Sequence, residues 1–377
     1  MRVGVPKEIK NRENRVGLTP ESVQELVAAG HQVLMETNAG QGINASDEDY
    51  VAAGASIAAT AADVFAQAEM MVKVKEPQAI ERAMLREGQL LFTYLHLAPD
   101  AAQTEDLVKS GATCIAYETI TSPRGGLPLL APMSEVAGRM SIQAGSHALE
   151  KTQGGRGMLL GGVPGVAPAK VVVIGGGVVG SNAVQMALGA RADVAVLDRS
   201  KDALVRLDQE FNGAVKTVYS TKAALEQHVA EADLVIGSVL IPGATAPKLV
   251  TAEMVAGMKK GAVLVDVAID QGGCFATSHA TTHEDPTYEV DGVVHYCVAN
   301  MPGGVPLTST YALNNATLPY VMKLANQGWR TALANDVHFR EGLNVHAGMV
   351  TNEHVAEALG YDFVDPASVC RSLEAVA

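Results

Sequence analysis

The sequence predicts an α/β fold built on doubly wound, largely parallel sheets. Three observations point there. Short Val/Ile/Leu runs alternate with helical patterns along nearly the whole chain, as parallel sheets covered on both faces require. Glycine is abundant, with 37 residues against one Trp, six Phe and nine Tyr, a balance that suits tight strand-to-helix turns better than an aromatic-rich β-sandwich. Finally, a glycine turn, Gly175 to Gly180, stands between an apolar strand and an apolar helix. The 377 residues suggest two domains at roughly 150 residues each.

In the first third the strand candidates are RVGV (2–5), HQVLMET (31–37), MMVKVK (70–75), QLLFTYL (89–95) and TCIAYE (113–118). Each is too short for a helix and is followed by turn residues or a helical stretch. Between the first two a helix is well marked. Thr19 suits its N-cap, Pro20 its first turn and Gly30 the position past its end. A long helical pattern covers Ser134 to Lys151, and the glycine-rich segment 153–168 is a candidate crossing between domains.

A second strand series runs KVVVIG (170–175), DVAVLD (193–198), DLVIGSV (233–239), AVLVDVA (262–268) and VVHYCVAN (293–300). From Pro306 the pattern is helical, with Ser309 or Thr310 opening a helix toward Gln327. No repeat and no low-complexity tract is present.

Composition excludes several classes. Hydrophobic residues make up 48% and charged residues 18%, with mean hydropathy +0.14, which disordered chains do not show. A net charge of −13 repels polyanions, so neither nucleic acid nor an anionic membrane surface is the expected partner. The charged opening MRVGVPKEIKNRENR offers no apolar signal segment, and the glycine- and proline-broken stretch 158–190 reads as strand, turn and helix, not a membrane span. Cys114, Cys274, Cys297 and Cys370 are too scattered for a zinc site or disulfide framework. They read as reduced thiols of a cytoplasmic protein.

The sharpest motif is Gly175-Gly176-Gly177-Val178-Val179-Gly180. Its first glycine makes the tight turn, the next lets backbone approach a pyrophosphate at the helix N-terminus, and the last lets helix pack on strand. Asp198 ends the following strand, where a carboxylate accepts from the ribose hydroxyls of a dinucleotide. It would meet a 2′-phosphate as a like charge, so NAD is favoured over NADP, although Arg199 could blunt that repulsion.

Ligands of open α/β sheets bind at the carboxyl ends of the strands, and four polar residues fall there. Arg15 follows the first strand, Lys75 ends MMVKVK, His96 follows QLLFTYL and Asp270 follows AVLVDVA. Singly, each fits a plain role: surface charge, solvated strand end, core histidine, turn former. Together they supply two cations for a carboxylate, an imidazole and a proton-handling carboxylate, the set that a dehydrogenase of small 2-amino or 2-hydroxy acids requires. HExxH, GxSxG and P-loop motifs are absent from the sequence.

Beyond these motifs the chain resembles the bacterial alanine dehydrogenase and transhydrogenase family over roughly residues 1–369. The resemblance is carried by MRVGVPKEIKNRENRVGLTP, VKVKEP, LFTYLHLA, LPLLAPMSEVAGR, TQGGRG, VLVDVAIDQGGCF, YCVANMPGGVP and TSTYALNNATLPY. It implies two Rossmann-like domains, a discontinuous substrate domain (1–128 plus 306–377) around an NAD-binding domain (129–305). It also implies reversible oxidation of L-alanine to pyruvate and ammonium, and a homo-hexamer. By motif, Arg15 and Lys75 match carboxylate binders and His96 and Asp270 the catalytic pair. Ser134, Gly175, Gly177, Gly180, Asp198, Ser220, Val239, Leu240, Ile269 and Met301 match positions that contact NAD. Three positions depart from a relative's pattern: Ala203 replaces a lysine, His279 an arginine, and Gln327 a histidine that pairs with the position of Glu118 around magnesium. No metal is therefore predicted. A transhydrogenase-type subunit and a non-catalytic NAD sensor are the alternatives.

Overall fold

The computed structural model describes residues 1–239 and 246–371. Six strands come first: β1 (Arg2–Val5), β2 (Gln32–Glu36), β3 (Ser56–Ala58), β4 (Met70–Val72), β5 (Leu90–Thr93) and β6 (Thr113–Ala116). Seven follow: β7 (Lys170–Ile174), β8 (Asp193–Asp198), β9 (Lys216–Tyr219), β10 (Leu234–Gly237), β11 (Val263–Asp266), β12 (Thr287–Val290) and β13 (Val293–Tyr296). Near the C-terminus lie β14 (Leu343–His346) and β15 (Met349–Val350). The chain divides into two compact units, residues 1–133 with 305–377, and residues 134–304.

The two sheets share one plan. In the first unit the order is β15-β14-β6-β5-β4-β1-β2-β3, and in the second β12-β13-β11-β10-β7-β8-β9. Counted by succession, the parallel strands of each run 3-2-1-4-5-6, the doubly wound order in which the crevice lies beside the first strand. Among the described residues the antiparallel pairings are β6–β14, β14–β15 and β12–β13, all toward the sheet edges.

Continuous apolar strands explain why both faces are covered. In β7, Val171 and Val173 enter one core with Val196, Ile236 and Val263, while Val172 and Ile174 enter another with Leu197, Val235 and Leu264. Each such buried side chain contributes roughly 1.5–3 kcal/mol, and a polar residue at either parity would lose one of the two cores.

Helix starts follow their caps. Thr19 caps Pro20–Ala28 by accepting the Ser22 amide at 3.3 Å, and Gly30 takes φ +87° beyond its end. Two starts differ from expectation. The helix expected from Ser134 runs Ala131–Ala148, and that expected from Ser309 or Thr310 begins at Pro306 and runs to Gln327. Ser309 and Thr310 are buried inside it, where Thr310 Oγ1 accepts the Val16 amide at 3.4 Å and Asn314 Oδ1 that of Thr19 at 2.9 Å. The Thr310 hydroxyl and the Asn314 amide serve tertiary contacts, not a cap, and Pro306 at the first position starts the helix. Among the described residues no helix is long and apolar enough to cross a membrane.

Candidate functional site

The second unit carries a cradle for a dinucleotide. Gly175 has φ +103°, open to glycine alone without strain. A Cβ on Gly180 would lie 1.8 Å from the Gly175 carbonyl oxygen, so the helix Val178–Gly189 can sit this close to β7 only without a side chain there. Gly177, at the N-cap, is the reverse case: no side chain caps the helix and, its own chain neighbours aside, no heavy atom lies within 4 Å of a Cβ built there. An uncapped helix end opening on clear space is what an anionic pyrophosphate needs.

Asp198 closes the turn from the next strand. One carboxylate oxygen accepts the Gly176 amide at 2.6 Å and the other the Ser200 amide at 2.7 Å, while Arg206 donates to the Gly176 carbonyl at 2.6 Å. The carboxylate thus holds the glycine turn from the end of β8. Ser220 follows β9 and donates its amide to the Asp198 carbonyl at 2.9 Å. Val239 follows β10, with Cγ2 3.0 Å from where a Gly175 Cβ would be. Ile269 follows β11 and Met301 follows β13, both buried. Ser134 is half-buried on the helix Ala131–Ala148, and Leu240 lies outside the described residues.

Asp270 sits on a single turn of 3-10 helix, Ile269–Gln271, closed by Gly272 at φ +90°. Its side chain is exposed, and both carboxylate oxygens accept the amide of Asn300, at 3.1 and 3.2 Å. Beneath it Asp266 organises the loop, accepting from the amides of Cys274 (2.8 Å) and Phe275 (3.2 Å) and from Ser278 Oγ (2.5 Å). Burial raises the Asp266 carboxyl above its ordinary value despite those bonds.

In the first unit Arg15, Lys75 and His96 lie in the segments that follow β1, β4 and β5, three adjacent strands. Arg15 is 2% exposed, which removes its reading as a surface charge. Glu13 grips it twice, Oε1 accepting from Nε at 2.7 Å and Oε2 from Nη2 at 2.6 Å, and Nη1 donates to Met133 Sδ at 2.9 Å. Burial disfavours the cation, but these bonds outweigh it and hold Arg15 above its ordinary value.

Lys75 does not end a strand as expected. β4 stops at Val72, Lys73 makes one more backbone bond to Phe92, at 3.2 Å, and the chain bends at Val74–Lys75. The cause is Lys73, which is buried between Glu8 (3.1 Å) and Glu81 (2.7 Å) and kept charged by them, while Glu8 also accepts the Val74 amide at 2.7 Å. Lys73 is thereby committed to structure. Lys75 is half-exposed at the bend.

His96 is no core histidine. Its side chain is 45% exposed, its ring stacks on Tyr94 with centroids 5.8 Å apart, and its backbone is left-handed at φ +52°. Glu118, just after β6, makes that strained backbone tenable by accepting the amides of Leu95 (3.2 Å) and His96 (2.6 Å), with Oε1 3.8 Å from Nδ1. Glu8, Glu13 and Asp266 went unnoticed in the sequence, and Glu118 was singled out only by resemblance. The signal for three of them was position, as acids in the loops directly after β1 and β6. Among the described residues no group of three or more His, Cys, Asp and Glu could hold a metal ion.

A glycine cradle with an acidic strand end in one doubly wound unit, and two cations with an imidazole at the strand ends of another, define a two-domain nucleotide-dependent enzyme class. Family comparison is specific. The alanine dehydrogenase/PNT family matches through its N-terminal domain at residues 4–137 and its C-terminal domain at residues 141–353. The chain belongs to that family. It is 62% identical to an alanine dehydrogenase of Halomonas elongata over 369 residues, 98% of this chain and all of that one. Among solved structures it superposes on an L-alanine dehydrogenase with TM-score 0.93 at 55% identity, covering 96% of this chain and 99% of that one. A transhydrogenase from Sinorhizobium meliloti follows at TM-score 0.79 and 26% identity, covering 94% and 99%.

Proposed function

We propose that this chain catalyses the reversible NAD-dependent oxidative deamination of L-alanine, in which alanine, NAD⁺ and water become pyruvate, NADH, ammonium and a proton. The observation that carries the reading is that Arg15, Lys75 and His96 lie in the segments leaving the carboxyl ends of three neighbouring strands, the first strand of the sheet among them, the side on which a doubly wound fold binds its ligand. Full-length likeness to alanine dehydrogenases at 55–62% identity supports it.

The cofactor, when bound, supplies the hydride acceptor. Gly175, Gly177 and Gly180 shape its phosphate cradle, and Asp198 prefers the unphosphorylated ribose of NAD. Ser134, Ser220, Val239, Leu240, Ile269 and Met301 complete the cofactor contacts. Arg15 and Lys75 hold the substrate carboxylate and so orient Cα; alignment of this kind supplies up to roughly 7–11 kcal/mol in the best intramolecular cases. His96 and Asp270 handle the protons, activating water for attack on the imine that hydride loss leaves and returning the product proton to solvent. A transhydrogenase-type subunit is less favoured, because the transhydrogenase likeness is weaker. The substrate domain comprises 1–128 with 306–377, the protein is a cytoplasmic homo-hexamer by resemblance, and its partners are small molecules.

NADH formation measured with NAD against a panel of L-amino acids tests the reading. L-alanine is expected to be the preferred substrate, with NADP used poorly. No NADH with any amino acid would leave a nucleotide sensor or transhydrogenase-type subunit.

A further inference from the structure

Glu13 neutralises the very cation that the proposed function assigns to the substrate carboxylate. If attraction were all that Arg15 supplied, a carboxylate at 2.6 Å would weaken it. The geometry explains what Glu13 adds instead. Oε1 accepts both the backbone amide of Arg15, at 3.0 Å, and Nε, at 2.7 Å, while Oε2 accepts Nη2 at 2.6 Å. Three bonds across two residues, with side chains 0–1% exposed, fix the guanidinium plane to the loop that carries it. The fork is gripped along its Nε/Nη2 edge. On the opposite side Nη1 donates to Met133 Sδ at 2.9 Å, and a thioether is a weak acceptor that a carboxylate oxygen readily replaces.

We propose that Glu13 is the positioning residue that aims Arg15 at the substrate carboxylate, so that the pair contributes orientation to turnover more than net attraction. The proposal rests on the reading of Arg15 as a carboxylate binder, and the test separates the two. Glu13→Gln keeps Oε1, with its bonds to the Arg15 amide and Nε, and replaces Oε2 by an NH₂ group that cannot accept from Nη2. The reaction is followed as NADH consumption with pyruvate and ammonium. The kcat is expected to fall about tenfold to hundredfold, the cost of a small misplacement at a reacting centre. The KM for pyruvate stays the same or drops, because the charge of Arg15 is less offset, and the NADH dissociation constant does not move. In an Arg15→Ala background the same substitution is expected to change kcat less than about twofold.

Equal effects of Glu13→Gln in both backgrounds would overturn the proposal, as would a raised pyruvate KM with kcat retained. If Arg15→Ala itself leaves pyruvate turnover intact, the carboxylate-binding reading fails and the positioning role fails with it. Should Glu13→Gln not fold, Glu13→Asp keeps both acceptors with a shorter reach: loss of kcat at constant KM supports the proposal and unchanged kcat overturns it.

Discussion

The loops that follow the first strand of each sheet occupy the same topological position and have opposite chemistry. After β7 the chain turns within three glycines into a helix, and the ligand surface is backbone: an uncapped helix end with Gly177 open to space. After β1 it runs through residues 6–19 before the helix Pro20–Ala28, and the proposed ligand surface is side chain, Arg15 locked by Glu13. A diffuse pyrophosphate is met by amides and a helix end, whereas a small carboxylate whose orientation matters is met by a guanidinium fork. On the proposed function, one strand order thus serves a cofactor cradle or a substrate clamp according to what fills the first loop.

Asp270→Asn tests that division most severely, because Asp270 belongs to the cofactor sheet yet is assigned proton chemistry. Asparagine keeps an acceptor for the Asn300 amide, so the turn and NADH affinity should survive. The kcat is expected to drop by about 10²–10⁴. Activity retained, or lost only with the melting temperature, would return Asp270 to a turn former.

Neighbouring lysines sharpen the first loop's side of the comparison. Lys73→Met leaves Glu8 and Glu81 facing each other in the interior, with an expected loss of about 3–5 kcal/mol in a denaturation curve. Lys75→Ala, at the half-exposed bend, should leave stability nearly unchanged and reduce pyruvate turnover more than tenfold, at least ~1.4 kcal/mol. Turnover within tenfold would remove Lys75 from the clamp.

On the cradle side, Gly177→Ala meets no steric obstacle in the protein. Its expected effect is therefore confined to the ligand: NADH binding weakened about tenfold, ~1.4 kcal/mol, at unchanged melting temperature, read by fluorescence titration. An unaltered dissociation constant would place the phosphates elsewhere.

The smallest effect is one of pH, and each unit has a source of it. His295 is fully buried between the Thr277 hydroxyl and the Val293 carbonyl, and burial, then His279, hold it below the ordinary 6.5. His346 in the other unit is lowered by burial and by Arg330. The folded state binds these protons less readily than the unfolded one, so the stability they contribute is present above about pH 6.5 and lost as pH falls through the lowered values. His295→Gln should shrink the fall in melting temperature between about pH 7.5 and pH 5 by a few degrees. An identical pH slope in the variant would rule His295 out.

What the sequence disclosed depended on where a strand lies in its sheet. The inner strands β1, β4, β5, β7, β10 and β11 announce themselves as continuous apolar runs because both faces are covered. All four edge strands, β3, β9, β12 and β15, lie outside the expected set, and so does β14, which lies inside β15 in a C-terminal stretch expected to be helical. β9 (KTVY) and β12 (TYEV) are half-exposed throughout and only four residues long, too little for a period to emerge. The β14–β15 hairpin turns through Ala347 (φ +46°) and Gly348 (φ +84°), and Ala is not a residue that signals such a turn. Asp270 stands out as a lone charge after an apolar run, and Arg15 by its place in the loop after the first strand together with the family resemblance. Their supports do not, because Glu13 in a charged stretch looks like solvent-facing sequence until its burial is seen.

The long loop after β1 has a consequence in time. The amides of Arg15, Val16 and Thr19 donate to Glu13, Thr310 and Asn314, and a Cβ on Gly17 would fall 2.5 Å from the Val72 carbonyl oxygen. The amides of Val16 and Thr19 can exchange with solvent only when the helix Pro306–Gln327 lets go of the loop, an opening larger than the loop itself. In deuterium exchange the amides of Val16 and Thr19, though in an irregular stretch, should therefore be as slow as the strands beside them, so that the loop carrying Arg15 is held as firmly as the sheet.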